Sequence, residues 1–504
     1  MQATVLAAAE HRAPSEAGER PRRDALWCAG LFVVALGLRL FHIVPAYNLF
    51  IDEVTYAEIA RNIADGRGVT HHGQTFALHP PFVLGTYGLV IRGFGLDGDL
   101  ATLAFALRPV AAVFGAGTVA LTYLIGRRAG FGTAFGVAGA ALVALDPFQI
   151  RYDSQVMLEA QTQFLVALTI LLVMGLRPAG TPPWLLVVTG LSAGAVFCSK
   201  ETFGLVLGVA LILIGLSGRL GRRKELAAVV GIGLGVYLTN VGLTIGLGGL
   251  DAWLQARGNG LTRLIGTNQE TGFNSDAVKV SLVSRLTANF DRLAVTYAVL
   301  LLGGLCCLLL LYRLRRPQSL PRPLTALVAW ALAACGYLVY ATAFGSIEEQ
   351  MYYIPLVPCV LCLVAVLAQA RGTRTAWAGI ALFVVLNSLV WARVHTTDSN
   401  IYRQFFTWAR TGVPQGSRVA LTEDSAQFVL SGMDLGQWHT AQALQSNHVD
   451  YVLINPRLVE HGYGLGDPAF LEHLRSTGRP VFSAFSSTDG SLILFDVRPR
   501  GEER

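Results

Sequence analysis

The chain has 504 residues, of which 53% are hydrophobic and only 14% charged, and its formal net charge is +6. An average soluble domain carries about 25% charged residues, so this composition excludes an ordinary soluble enzyme or binding module. The positive balance sits in short loops between apolar runs, which marks membrane topology and implies no nucleic-acid partner.

Residues 1–24 are polar and rich in Arg, Ala and Glu, and are expected to form a disordered cytoplasmic tail. The first apolar span follows, at about 25–45. It is too long for a cleaved signal peptide and lacks a small-residue cleavage site. Ten further spans are expected near 109–126, 131–149, 160–176, 184–199, 203–217, 226–248, 293–312, 324–344, 351–370 and 374–394. Pro109–Gly126, Leu226–Gly249 and Tyr352–Ala370 contain no charge at all, and a crossing helix needs about 20 apolar residues. The stretch Pro80–Gly95 is apolar but interrupted by Pro80-Pro81 and Arg92, and reads as interfacial or re-entrant.

Alternate loops carry Arg127-Arg128, Arg177, Arg219 with Arg222, Arg223 and Lys224, then Arg313 to Arg322, then Arg371 and Arg374. With eleven spans these share one side, which the positive-inside rule makes cytoplasmic. Asp52, Glu53, Asp153, Glu159, Lys200, Glu348 and Glu349 then face outward, as does everything after Val394. All seven cysteines lie within expected spans, so no disulfide framework is implied outside.

Three exterior segments stand out: 48–108, 146–159 and 249–291. From about His395 the pattern becomes that of a small soluble domain. Arg418–Thr422, Tyr451–Ile454, Val481–Phe485 and Leu492–Val497 read as strands, with a turn at Thr488-Asp489-Gly490 and short helices at Asp424–Leu430 and Pro468–Leu474. The expected architecture is thus a polytopic α-helical membrane protein of about 11 transmembrane helices, with juxtamembrane helices in the first exterior loop and a C-terminal α/β exterior domain. The divisions are 1–24, 25–394 and 395–504.

Candidate chemistry clusters on the exterior side. Asp52-Glu53 opens a segment whose Tyr56, Ile59, Ala60 and Ile63 fall on one helical face. Asp52 there suits a helix cap, with Glu53 favoured by the helix dipole, and it suits equally a carboxylate facing a substrate. His79-Pro80-Pro81 offers an imidazole at a proline turn, as a solvated turn residue or as a partner for phosphate. His71 and His72 in the same loop leave room for a divalent cation, although no regular ligand spacing is present and no cofactor is otherwise implied. Asp153 and Glu159 flank the fourth span, and a carboxylate near a membrane core usually has a partner or a task. Lys200-Glu201 reads either as an exterior turn or as part of a site, and Tyr352-Tyr353 as interfacial anchors or as donor contacts.

Together these motifs resemble the membrane glycosyltransferases that use polyprenyl-phosphate sugars, the GT-C group that includes protein O-mannosyltransferases and lipid A aminoarabinose transferases. The resemblance rests on Asp52-Glu53-Val-Thr-Tyr56, His79-Pro80-Pro81, Arg108-Pro109 through Gly126-Arg127-Arg128, Asp146-Pro147-Phe148 through Glu159, Ser199-Lys200-Glu201 and Tyr352 to Pro358. It covers about residues 25–370. Thr55, His79 and Met351 stand where the family often has Arg, Lys and Arg, so the sugar is not named by it.

The resemblance implies an inverting hexosyl or pentosyl transferase that moves a sugar from a polyprenyl-phosphate-linked donor to a protein, lipid or glycan acceptor hydroxyl. Asp52 and Glu53 would be catalytic, with Asp52 as base. Tyr56, His79, Lys200, Tyr352 and Tyr353 would bind the donor and its phosphate, and Asp153 and Glu159 would orient substrate. Membrane lipids surround such an enzyme, and the implied setting is a bacterial inner (plasma) membrane with the N-terminus cytoplasmic and the C-terminal domain periplasmic. A multi-spanning transporter is the alternative; it would carry ionisable groups near the bilayer midplane rather than at one face.

Overall fold

A computed structural model of the chain describes residues 14–499 except 178–179, 266–286, 288–289, 315–320, 345–348, 371–373, 423–429, 431–432, 461–466 and 487–489. The expected tail up to residue 13, Glu348, most of the loop after residue 265, most of the helix expected at 424–430 and the turn at Thr488-Asp489 lie outside the described residues. Residues 14–24, expected in the tail, continue helix α1 (Pro14–Leu40).

The juxtamembrane region follows. Helix α2 (Ile51–Ala64), a hairpin of β1 (Thr70–His71) and β2 (Gln74–Thr75), and α3 (Phe82–Phe94) fill the first exterior loop. The stretch read as interfacial or re-entrant is therefore a short helix packed on α2. Gly88 makes that packing close, since a Cβ there would lie 2.9 Å from the Ile63 side chain and 3.0 Å from the Ala60 carbonyl.

Helix α4 (Leu100–Arg128) returns antiparallel to α1. It is followed by α5 (Thr133–Leu145) and α6 (Pro147–Asp153), which bend by 64° at Asp146. The span expected at 131–149 is broken there. A residue before proline is pushed out of the helical region, and Asp146 adopts ψ 119° while its Oδ1 caps α6 by accepting from the Phe148 and Gln149 amides at 3.0 and 2.9 Å.

Helices α7 (Glu159–Val173), α8 (Pro183–Phe197) and α9 (Glu201–Ser217) are apolar but short. Then come α10 (Arg223–Gly248), α11 (Leu250–Leu264), α12 (Phe290–Leu314), α13 (Leu324–Phe344), α14 (Tyr353–Gln369) and α15 (Arg374–His395). Among the described residues six helices are long and apolar enough to cross a membrane, or seven if the bent pair is one span. Leucines such as Leu238, Leu247, Leu301, Leu308, Leu382 and Leu389 project outward from the long helices. Such an outer surface has no place in water and suits lipid. The chain is an integral membrane protein.

The C-terminal segment adds α16 (Ile401–Gly412), β3 (Arg418–Leu421), β4 (Asp434–Gly436), α17 (Ala441–Ser446), β5 (Tyr451–Ile454), α18 (Pro456–Glu460), α19 (Pro468–Thr477), β6 (Arg479–Ser486) and β7 (Gly490–Asp496). The strands form one sheet in the order β4-β3-β5-β7-β6, in which β3 runs parallel to β4 and β5, and β7 is antiparallel to β5 and β6. Alternation decides what each sheet face meets. Val419, Leu421, Leu453 and Leu494 join Tyr402 and Phe405 of α16 and Val54, Leu84 and Leu103 of the juxtamembrane helices in one core. Ala420, Val452, Ile454 and Phe495 face Phe470 and Leu474 of α19 in another. The sheet is therefore seated directly on α2, α3 and the start of α4.

Candidate active site

Helix α2 starts at Ile51 with Phe50 as its cap residue, so Asp52 and Glu53 occupy its first turn and neither is the cap. Both carboxylates are favoured there by the helix dipole. Their surroundings differ sharply. Glu53 is 0% exposed, and Arg108, also 0% exposed, grips it from α4. Arg108 Nε donates to Glu53 Oε1 at 2.9 Å and Nη2 to Oε2 at 2.8 Å. The Phe50 amide donates to Oε2 at 3.1 Å and the Val156 amide to Oε1 at 2.9 Å. Arg108 spends its remaining donors on the carbonyls of Ile43, Val44, Tyr47 and Asn48, the turn between α1 and α2. One buried pair thus fixes the entry of α2, its register against α4 and the bent segment before α7.

Asp52, by contrast, is half-buried. It shares a helix face with Tyr56, one turn on. The Tyr56 ring meets the edge of the His79 ring at 6.2 Å. Beside His79 stands a corner of paired charges. His79 Nδ1 is 3.7 Å from Glu201 Oε2, and Arg257 of α11 pairs with the same Glu201 and donates to the Ala77 and Leu78 carbonyls. The Phe82 amide donates to the Cys198 carbonyl at 3.0 Å, which joins the Pro80-Pro81 turn to the turn before Lys200. Lys200 pairs with Glu159 at the start of α7. Glu159 is 1% exposed, and its Oε2 has no hydrogen-bond partner among the described residues. The structure therefore gathers Tyr56, His79, Lys200 and Glu159 from four elements.

A second network lies deeper. Arg39 Nε donates to Asp153 Oδ2 at 2.8 Å, Gln149 Nε2 donates to both Asp153 oxygens at 3.2 Å, and the Tyr353 hydroxyl donates to Asp153 Oδ1. Arg39, Asp153 and Tyr353 are all fully buried. Gly115 of α4 is what admits this cluster, because a Cβ there would fall 2.3 Å from Asp153 Cγ. Tyr352 packs its ring against Tyr297 at 5.4 Å and Phe148 at 6.3 Å.

Between the two networks is a cleft lined by Phe50, Arg151, Tyr152, Gln155, Met157 and Glu349. Arg151 and Glu349 pair across it at 3.2 Å. The Asp52 carboxylate is among the charges that act on the Tyr152 hydroxyl.

The hairpin after α2 brings Glu58, His71 and His72 together, and these are the described residues that could hold a metal ion. Burial lowers the pKa of His71 below that of an ordinary imidazole, and the Glu58 carboxylate opposes this.

The end opposite Asp52 collects the basic loops. Asp24, at the start of the first apolar run, pairs with Arg127 at 3.0 Å and accepts from the Tyr123 hydroxyl. A Cβ on Gly175 would lie 3.1 Å from the Arg128 guanidinium, and one on Gly130 would lie 3.5 Å from Pro321.

Sequence reasoning assigned no site role to Arg39, Arg108 or Arg257. The first two carry a signal that could have found them, since an arginine inside or at the edge of an apolar run needs a buried partner. Arg257 carries none, because its loop is polar throughout.

A bundle of apolar helices that carries the Glu159–Lys200 and Arg39–Asp153 pairs, with a juxtamembrane α2–α3 layer packed on it, has the fold of the GT-C membrane glycosyltransferases. Solved structures of that fold superpose on nearly the whole chain. The archaeal oligosaccharyltransferase AglB from Archaeoglobus fulgidus, in complex with an inhibitory peptide and a dolichol-phosphate, matches with a TM-score of 0.55 at 12% identity, covering 94% of this chain and 74% of its own. ArnT from Cupriavidus metallidurans matches with TM-scores of 0.54 in the apo state and 0.50 bound to undecaprenyl phosphate, at 13% and 14% identity, covering 94% of this chain and 97% of its own in each case. No curated protein sequence matches the chain. Residues 30–217, which hold most of the site residues described above but not Arg257, Tyr297, Glu349, Tyr352 or Tyr353, match the PMT family, the dolichyl-phosphate-mannose-protein mannosyltransferases.

Proposed function

We propose that the protein is an inverting glycosyltransferase that moves a sugar from a polyprenyl-phosphate carrier to an acceptor hydroxyl, at the exterior face of a membrane that the chain crosses about eleven times. The observation that carries this reading is the arrangement along one face of α2. A half-buried carboxylate, Asp52, is followed one turn later by Tyr56, whose ring touches His79 at the edge of the Lys200–Arg257 corner. The PMT match over residues 30–217 supports it. So do the dolichol-phosphate and the undecaprenyl phosphate bound in the AglB and ArnT structures.

In the proposed reaction the acceptor oxygen attacks the anomeric carbon from the face opposite the phosphate. Asp52 takes the hydroxyl proton, a task worth roughly 10²–10⁴ in rate. The bond from carbon to phosphate oxygen breaks as the new glycosidic bond forms, so the configuration inverts. The electron pair leaves on the polyprenyl phosphate, which is a weak base and needs cations more than an acid. Lys200 and Arg257 supply positive charge for it, and His79 a hydrogen-bond donor. The orphaned Oε2 of Glu159 suits a sugar hydroxyl that reaches Lys200. Glu53 holds α2 in place for Asp52. Asp153 and Tyr353 position the bend at Asp146, and through it Arg151 and Tyr152 in the cleft. The acceptor enters by that cleft.

The reading is tested by incubating the purified protein with a panel of undecaprenyl-phosphate sugars and following release of undecaprenyl phosphate. Lys200→Ala is expected to weaken donor binding at least tenfold while Asp52→Asn leaves it intact. Equal donor binding by the Lys200→Ala variant and the wild type would remove Lys200 from the site, and a product of retained configuration would exclude the single displacement.

A further inference from the structure

The hairpin that follows α2 carries a feature the transfer reaction does not use. Its two-residue turn is His72-Gly73, with φ of 48° and 74°. Both residues in the left-handed region define the tight hairpin turn that Asn-Gly normally fills, and a histidine there costs strain that asparagine or glycine would avoid. The turn sets the His71 and His72 rings side by side, their centroids 4.0 Å apart and their planes tilted by 46°. Glu58 reaches up from α2 to meet them. Its Oε2 is 2.9 Å from His71 Nδ1, and its Oε1 accepts from the His72 amide at 2.9 Å. One ligand atom from each of the three residues lies within 4.8 Å of the other two.

We infer that Glu58, His71 and His72 form a binding site for a divalent transition metal of the zinc class, which pins the hairpin to α2. Two imidazoles and one carboxylate are the donor set that zinc favours, with ligand bonds of about 2.0–2.2 Å and a fourth position for water. The ligand atoms need to draw in by about 1 Å to reach tetrahedral spacing. His72 is exposed, so its ring can make that adjustment without disturbing a core.

The consequence reaches the corner of paired charges beside His79. Asn62 already ties α2 to the Thr70 carbonyl at 2.8 Å. Beyond the hairpin, the Phe76 ring bridges His71 at 6.3 Å and His79 at 6.1 Å. The next two carbonyls, of Ala77 and Leu78, are held by Arg257. On the other side, Thr75 sits where a Cβ on Gly248 would come within 2.5 Å of it. A metal at Glu58, His71 and His72 therefore fastens one end of the segment that presents His79-Pro80-Pro81, while Arg257 fastens the other. The metal acts on loop order and takes no part in the transfer itself, so the inference stands whether or not the proposed donor assignment does.

The test uses the full chain in detergent, purified without a polyhistidine tag and stripped with a chelator. Titration with Zn²⁺, and with Co²⁺ as a spectroscopic probe, is expected to give one site-bound equivalent per chain. Hydrogen exchange across residues 70–79 should slow at least tenfold on loading. His72→Asn keeps a residue that accepts positive φ and so preserves the turn, while His71→Gln keeps size and polarity. Each is expected to weaken metal binding at least tenfold and to abolish the exchange response, with Asp52→Asn behaving as wild type in both. Undiminished binding in the His71→Gln/His72→Asn double variant, or binding that leaves exchange in 70–79 unchanged, would overturn the proposal.

Discussion

Asp52 and Glu53 are neighbours in sequence, yet the structure gives them different surroundings, and the difference has measurable size. Glu53→Gln preserves shape but turns one carboxylate oxygen into an amide nitrogen. If it falls at Oε1 it meets the Arg108 Nε and Val156 donors at 2.9 Å, and if at Oε2 it meets Arg108 Nη2 and the Phe50 amide at 2.8 and 3.1 Å. Either way two donors face a donor in a fully buried site, and Arg108 keeps its charge without a counterion. Breaking one side of a buried pair costs about 3–5 kcal/mol. Replacing both partners by leucine usually recovers most of such a loss. Here it should not, because four carbonyls between Ile43 and Asn48 also lose their donor, at about 1 kcal/mol or more each. Asp52→Asn, at a half-buried first-turn position, should cost about 1 kcal/mol or less and should lower the transfer rate by roughly 10²–10⁴. Denaturation of each variant in mixed detergent micelles, run beside undecaprenyl phosphate release, separates the two. If Glu53→Gln proves as stable as wild type, or Asp52→Asn as unstable as Glu53→Gln, the division of labour is refuted.

Arg257→Ala frees the Ala77 and Leu78 carbonyls and the Glu201 partner, so the donor KM is expected to rise at least tenfold with little change in stability; an unchanged KM would show that α11 plays no part in donor binding. Gly115→Ala drives a methyl into Asp153 and should destabilise the protein by about 1–3 kcal/mol, read as a lower denaturation midpoint. Asp496 in the sheet is held below the usual aspartate pKa, chiefly by Arg498, whose Nη2 lies 2.8 Å away, with Arg479 at 3.1 Å. Because the folded pKa is the lower one, the stability this carboxylate supplies is full above the ordinary range near 3.9 and is lost as pH falls through the folded value. Hydrogen exchange of 490–496 should accelerate over that acid window in the wild type, whereas Asp496→Asn should show the faster exchange at neutral pH already.

Part of this structure was written plainly in the chain. Long charge-free runs and arginine-bearing loops announce a membrane bundle, because lipid tolerates neither charge nor open backbone. Four of the strands were visible as short β-prone runs bounded by turn residues, and α2 from its Tyr56-Ile59-Ala60 spacing. The break at Asp146 was legible too in retrospect, since Asp-Pro both ends one helix and caps the next. Other elements left weaker marks. Strand β4 (Asp434–Gly436) has three residues and no apolar pattern, and it exists only because β3 offers it an edge.

What the sequence determined by itself is the helical membrane frame and the placing of Asp52, His79, Glu159 and Lys200 in or beside the segments that join its helices. Those follow from local composition and from solvation, which act residue by residue. Tertiary structure alone decided the roles. It buried Glu53 against Arg108 and left Asp52 half-buried, joined His79 to Arg257 across 178 positions of chain, and set the C-terminal sheet on the juxtamembrane helices. A carboxylate's task depends on which donors reach it, and those donors come from helices whose order in space no local pattern encodes.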